Sequence, residues 1–325
     1  MERKWKYAVR IVLFTVVLAV GVPLFAAQDY PSKPINLYVG FPPGGVAGNT
    51  ANAVAPGAQT SLKQPVVVQY KPGAGGTVAA DFVVHSEPDG YTLINAGTST
   101  LAYSMFTEGL KWGPKDFTVI LGYTAFNYAL VVPADAPWKT FDDWVKYVKA
   151  HPGFKYGTYG PLSTMHVLME WLSKELDLKL IPVHFKGDAP GMAAILGGHI
   201  QMYVAAGTHC AQVKAGKLRT LLQVSGEPKD ANPQTVTRFK ERFPKAPIEV
   251  FNLPIGIFGP KGIPASIRAQ LTEAFRKSAK SESCARALSQ MNMNVEIVEP
   301  EQLERDLVSA TEKLGKLVRE LNLKR

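Results

Sequence analysis

Cysteine is nearly absent: a chain of 325 residues carries only Cys210 and Cys284. Two cysteines in a chain of this size make no disulfide framework, and without a C-x-x-C they make no redox motif. They read as two independent thiols. The six histidines fall in no H-E-x-x-H or other metal-like cluster, so neither a metal nor a cofactor is expected. Lys and Arg form no dense stripe, which argues against nucleic acid as a partner. Nucleotide motifs are missing too. There is no Walker A run, and Gly73-Ala74-Gly75-Gly76 lacks the spacing of a dinucleotide-binding loop. A hydrolase using Ser99, Ser163 or His166 would need a base within reach of its nucleophile and a group to orient it. The chain has no G-x-S-x-G elbow, and His166, three residues after Ser163, reads as a first-turn helix residue. Catalysis is therefore not expected.

Long apolar runs are also scarce. The conspicuous one, Ile11 to Val22, is roughly 12 residues, short of the about 20 that span a bilayer. Arg3, Lys4, Lys6 and Arg10 precede it, Pro23 ends it, and Ala26 and Ala27 follow. That is the layout of a secretory signal peptide over residues 1–27, cleaved near Ala26 or Ala27. No cysteine lies near for lipid attachment, so a free periplasmic protein is expected. The remaining chain is long enough for two lobes. Its composition, 46% hydrophobic and 19% charged, is ordinary for an α/β protein. The formal charge of +9 falls to about +6 without the leader. A mild positive excess favours anionic ligands at long range, or serves solubility alone.

What is present is an alternation of strand and helix. Ile35–Phe41, Val66–Tyr70 and Tyr91–Ala96 read as strands, separated by an alanine-rich helix from Val46 and a helix over Thr77–Ser86. Pro56-Gly57 predicts a kink or break in the first of these helices. A second such unit follows. Ala129–Val132, Lys155–Thr158, Ile181–Phe185, Ile200–Ala205 and Leu218–Val224 read as strands, and Thr140–Ala150, Ser163–Leu176, Pro190–Leu196 and Thr208–Ala215 as helices. The tail adds helices over 265–279, 282–291 and 300–321 and a strand over 294–298. This rhythm predicts a mainly parallel sheet with helices on both faces. Trp138, Trp144 and Trp171 read as core residues.

In such sheets ligands bind beyond the carboxyl ends of the strands, where loops enter helix N-termini. Those termini offer N–H groups and partial positive charge, which suit a carboxylate. Four loops occupy this position: Pro42–Gly45, Gly97–Thr100, Tyr159–Thr164 and Lys186–Asp188. His184 stands near the last of them.

The run Tyr30-Pro31-Ser32-Lys33-Pro34-Ile35, then Phe41-Pro42-Pro43-Gly44-Gly45, is similar to the start of the tripartite tricarboxylate transporter receptors, the Bug or TctC family. Further matches are Gln64–Val68, Lys71-Pro72-Gly73-Ala74-Gly75-Gly76, Pro88-Asp89-Gly90-Tyr91-Thr92-Leu93, His151-Pro152-Gly153, Ser163 with His166, Lys186-Gly187, Gly197-Gly198 and Phe258–Pro264. They run in order along the whole mature chain. The resemblance implies a type II periplasmic binding fold, two α/β lobes with a ligand cleft between them. It places lobe one at 28–126 plus 254–325 and lobe two at 127–253. It further implies a monomer that delivers a small carboxylate to membrane permease subunits; presentation to a membrane sensor is the other role open to such a receptor. Candidate ligand-binding residues are Phe41, Pro43, Gly44, Gly45, Val46, Thr98, Ser99, Tyr159, Ser163, Thr164, Lys186, Gly187 and Ala205. The chain departs from the family pattern at Gly48 and Asn52, at Tyr159-Gly160-Pro161-Leu162-Ser163, at Lys71, and at Gln201 and Ala205, where acids are common. Two lost acids and an added Tyr and Leu point to an aromatic or apolar carboxylate; simple repacking is the alternative.

Overall fold

The structure, a computed structural model, describes residues 30–323 apart from 105, 107, 108, 228–234 and 252. The leader expected over 1–27 lies outside the described residues. Lys33–Arg325 form one compact unit, and the description that follows concerns it. Among the described residues no helix is long and apolar enough to cross a membrane.

In chain order the elements are β1 (Ile35–Val39), α1 (Val46–Leu62), β2 (Val66–Tyr70), α2 (Thr77–Val84), β3 (Thr92–Gly97), α3 (Thr98–Ser104), β4 (Phe117–Ala125) and β5 (Ala129–Pro133). Next come α4 (Phe141–Ala150), β6 (Phe154–Thr158), α5 (Thr164–Leu176), β7 (Leu180–His184), α6 (Asp188–Leu196), β8 (Tyr203–Ala205), α7 (His209–Lys214) and β9 (Leu218–Gln223). The last are β10 (Thr237–Arg238), α8 (Phe239–Arg242), β11 (Pro254–Pro260), α9 (Ala265–Ala279), α10 (Glu282–Ser289), β12 (Val295–Val298) and α11 (Pro300–Glu320). They form two six-stranded sheets, β12-β4-β11-β3-β1-β2 and β10-β9-β5-β8-β6-β7. The protein is thus a two-lobed α/β fold, one sheet in each lobe.

Both sheets are mixed, which corrects the expectation of mainly parallel ones. β1 pairs parallel with β2 and β3, but β11 lies antiparallel between β3 and β4, and β12 is antiparallel to β4. In the second sheet β5 is antiparallel to β8 and β9, while β6 is parallel to β7 and β8. Strand direction leaves no mark on a strand buried on both faces, because such a strand is a continuous apolar run either way. β4, absent from the sequence reading, is such a run, with seven of its nine residues buried.

Helix α1 runs through Pro56 without a break, so of the expected kink or break the break does not occur. Tertiary contacts hold it there. Ser278 Oγ of α9 donates to Val54 O at 2.5 Å, and Thr60 Oγ1 donates to Pro56 O at 3.1 Å. Gly57 admits Ser278 so closely that a Cβ would lie 2.4 Å from its hydroxyl. Packing of this kind overrides the loss of one backbone donor at proline. Helix α4 follows its sequence signals more simply. Thr140 caps it, with its hydroxyl accepting from Asp143 N and the Asp143 carboxylate accepting from Thr140 N. Its buried face is Phe141, Trp144 and Val148.

The chain passes between the sheets at 126–128 and again at 239–253. A polar knot holds the first crossing. Ser225 Oγ donates to Phe126 O and accepts from Tyr128 N, and Gln223 Nε2 donates to Asn127 Oδ1. Asn127 Nδ2 in turn donates to Asn292 O at 3.1 Å, reaching the other lobe. Neither cysteine is in a disulfide, and Cys210 Sγ donates to Met291 O at 3.4 Å.

Candidate functional site

The segments that follow β2 and β3 in one sheet and β6 in the other meet at one seam. There the lobes touch where glycines of one meet side chains and backbone of the other. A Cβ on Gly187 would stand 3.1 Å from Pro42 Cδ and 3.4 Å from the Phe41 ring, and Gly187 holds a φ of +143°. One on Gly45 would meet Asp188 Cβ at 3.7 Å, and one on Gly160 would meet Gly75 Cα at 3.9 Å. Glycine lets the chains approach this closely. The Phe41 ring stands edge-on to Tyr159 across the seam, centroids 6.0 Å apart.

Beneath this contact lies a small cavity of about 30 Å³. One lobe supplies Ala74, Gly75 and Thr77 from the turn after β2, and Ser99, Thr100 and Tyr103 from α3. The other supplies Tyr159, Pro161, Leu162, Ser163 and Thr164, the loop from β6 into α5. None of these side chains is charged. The space is small, enough for a bound water but not for a larger guest as it stands.

The loop from β6 is fixed by its own hydrogen bonds. Ser163 caps α5, accepting from His166 N at 3.3 Å while donating to Gly160 O at 2.8 Å. Leu162 sits at a φ of +53° and donates its N–H to His166 Nδ1 at 3.0 Å. His166 is a neutral acceptor there. Burial, and then the neighbouring His184, push it down to about 4. The His184 ring stands edge-on to His166 at 4.9 Å, with its own side chain exposed.

Hydroxyls dominate the cavity wall. Tyr128 Oη and Tyr159 Oη are 3.2 Å apart. Burial holds the Tyr128 phenol far above its ordinary range, and the hydroxyls of Tyr159, Thr164 and Ser99 pull it partly back. Tyr103 is raised likewise by burial and by Tyr128, and Thr164 is close enough to offset part of the rise. All these phenols are neutral. The cavity therefore offers donors and the N-terminal end of α5 to an anion, but no countercharge.

Of the residues named from sequence, Ser99, Tyr159, Ser163 and Thr164 come together on this cavity. Phe41, Gly45 and Gly187 lie on the closing contact above it. Val46 is buried, its Cγ2 3.3 Å from where a Gly207 Cβ would be. Pro43, Gly44 and Lys186 are exposed. Thr98 is buried with its hydroxyl donating to Pro254 O at 2.8 Å, and Ala205 belongs to the apolar core of its own lobe. The expected loop at 97–100 is instead the end of β3 running directly into α3.

Tyr103 was not named from sequence; Gly75 was read as part of a turn and Leu162 as a departure from the family pattern, neither as a candidate ligand-binding residue. Tyr103 had a signal: it is four residues after Ser99, hence on the same face of α3. Asp188 closes the Lys186–Asp188 loop and was not singled out within it. It is 7% exposed, accepts from the hydroxyls of Thr208 and Tyr203, and also from Ala206 N. Burial raises its pKa, and those three donors partly restrain the rise.

The model of the tripartite tricarboxylate transporter family receptor matches residues 50–323. This chain belongs to that family. A UPF0065 protein from the gbd 5' region of Cupriavidus necator is 31% identical to it over 99% of both chains. Among solved structures, the periplasmic binding protein BugD superposes with a TM-score of 0.83 at 23% identity, covering 91% of this receptor and 99% of BugD. MatC from Rhodopseudomonas palustris, with bound malate, gives 0.78 at 24% identity, covering 89% and 100%. The family of this chain is one of transport receptors, not of enzymes.

Proposed function

We propose that this receptor is exported, with its leader cleaved near Ala26 or Ala27, and closes as a monomer on one small carboxylate for delivery to the membrane permease subunits of a tripartite transporter. Lobe one is 28–126 plus 254–325, and lobe two is 127–253. The observation that carries the reading is the seam cavity, walled by both lobes with hydroxyls and headed by the N-terminal end of α5. A carboxylate there is held by neutral donors and a helix terminus. The malate in MatC supports a carboxylate in general. Tyr103, Tyr159, Pro161 and Leu162 on the wall favour an aromatic or apolar body on it.

Thermal-shift screening of a carboxylate panel, followed by calorimetry on the hits, tests this. A ligand that binds only the folded state raises apparent stability by mass action. Benzoate-type acids or aliphatic monoacids should raise the melting temperature. Tight binding of citrate or malate alone would refute the apolar body, and no response to any carboxylate would refute the reading.

A further inference from the structure

Two hydroxyls on residues of the seam cavity lack a well-formed hydrogen bond, although Thr164 lies close to both Tyr103 and Tyr128. Tyr103 Oη, from one lobe, and Thr164 Oγ1, from the other, are buried without a hydrogen bond, on residues 5% and 2% exposed. Both residues line the cavity. The neighbouring hydroxyls are engaged: Tyr128 with Tyr159, and Ser163 with Gly160 O and His166 N. Buried polar groups in native folds are almost always satisfied, so an under-satisfied pair on residues that line the cavity from opposite lobes marks where a guest supplies the missing partner.

We propose that Tyr103 and Thr164 form a two-lobe subsite for an uncharged hydroxyl or carbonyl on the ligand, which makes that ligand a hydroxy- or oxo-substituted monocarboxylate. This rests on the carboxylate reading above and narrows it. The subsite gives a neutral oxygen both a donor and an acceptor, since each hydroxyl serves as either. A second carboxylate in the same place would be buried with no cation on the cavity wall, and such a charge is disfavoured unless paired. The raised phenols of Tyr103 and Tyr128 report the same hostility to negative charge. Because the two hydroxyls come from different lobes, a single ligand oxygen satisfies both only when the lobes are together. The subsite therefore couples recognition to closure.

The test uses two matched trios: benzoate, 4-hydroxybenzoate and terephthalate; and pentanoate, 5-hydroxypentanoate and glutarate. Calorimetry on the mature chain should show the hydroxy acid of at least one trio binding about tenfold or more tighter than both its parent and its diacid. Tyr103→Phe and Thr164→Val should each shrink that ratio to within about threefold, and Thr164→Ser should restore it. Melting temperatures check the fold, and Tyr103→Phe should hardly lower it, since the hydroxyl it removes makes no well-formed hydrogen bond. A diacid that binds as tightly as the hydroxy acid overturns the subsite, as does a ratio the variants leave unchanged. Equal weakening of every monoacid does so too, because the hydroxyls would then serve the carboxylate itself. These outcomes leave the carboxylate reading standing, whereas no binding by any acid overturns both.

Discussion

Replacing Asp188 should give a pH-dependent change in stability whose sign is set by burial. The carboxylate is 7% exposed, has no cation against it, and accepts from Thr208, Tyr203 and Ala206 N. Asp188→Ala strands all three donors. The two hydroxyls can turn elsewhere, but the backbone N–H cannot, and the loss should be about 2–4 kcal/mol. Asp188→Asn keeps the volume and one acceptor oxygen, and near pH 4 it should cost about 1–2 kcal/mol. The folded-state pKa is raised, so over a window opening near pH 4 and extending upward the folded state binds more protons than the unfolded. Wild-type stability from this group is present below that window and lost as pH rises through it. The deficit of Asp188→Asn must therefore shrink as pH rises, with a slope of at most about 1.4 kcal/mol per pH unit. Urea unfolding of both proteins from pH 4 to 8 measures that difference directly, because other titrating groups cancel. A flat difference, or a deficit that grows with pH, would refute the account of Asp188 as a buried, uncompensated acid.

Other outcomes are as direct. His209 is 2% exposed and pushed down to about 4 by burial, so its contribution is lost as pH falls from about 6.5 toward 4; His209→Leu should flatten that acid limb by about 2 kcal/mol in urea melts. Gly191→Ala lies within α6, where alanine would ordinarily help by about 1 kcal/mol. Its Cβ would stand 2.2 Å from the Tyr203 ring, so the substitution should instead cost about 1–3 kcal/mol by thermal unfolding. Ser225→Ala removes the hydroxyl that serves Phe126 O and Tyr128 N at the crossing, and should cost about 1–3 kcal/mol in denaturant midpoint.

The rhythm of strand and helix was legible because period-2 and period-3.6 patterns survive in α/β lobes. Strand direction and the swap of β11 between β3 and β4 were not, because buried strands carry no alternation. Pro56 misled for a related reason: the packing of Ser278 against Gly57 joins residues more than two hundred positions apart. At the site, loop position pointed to Ser99, Tyr159, Ser163 and Thr164. It could not tell that Thr98 turns its hydroxyl to Pro254 O, or that Ala205 faces its own core. Tyr103 shows the converse. Its helical spacing from Ser99 was visible, but only its lack of a well-formed hydrogen bond distinguishes it from a core tyrosine.

The contact between the lobes is made where glycines meet side chains: Gly187 lies against Pro42 and the Phe41 ring, and Gly45 against Asp188. Phe41 also meets the ring of Tyr159, which lines the cavity. Tyr159 thus serves the contact and the wall at once, and a change there would be felt by both. Rebuilding the wall for a different compound would therefore start at Leu162 and leave Tyr159 in place, with reporters beside Pro43 or Lys186, both exposed, to read the outcome.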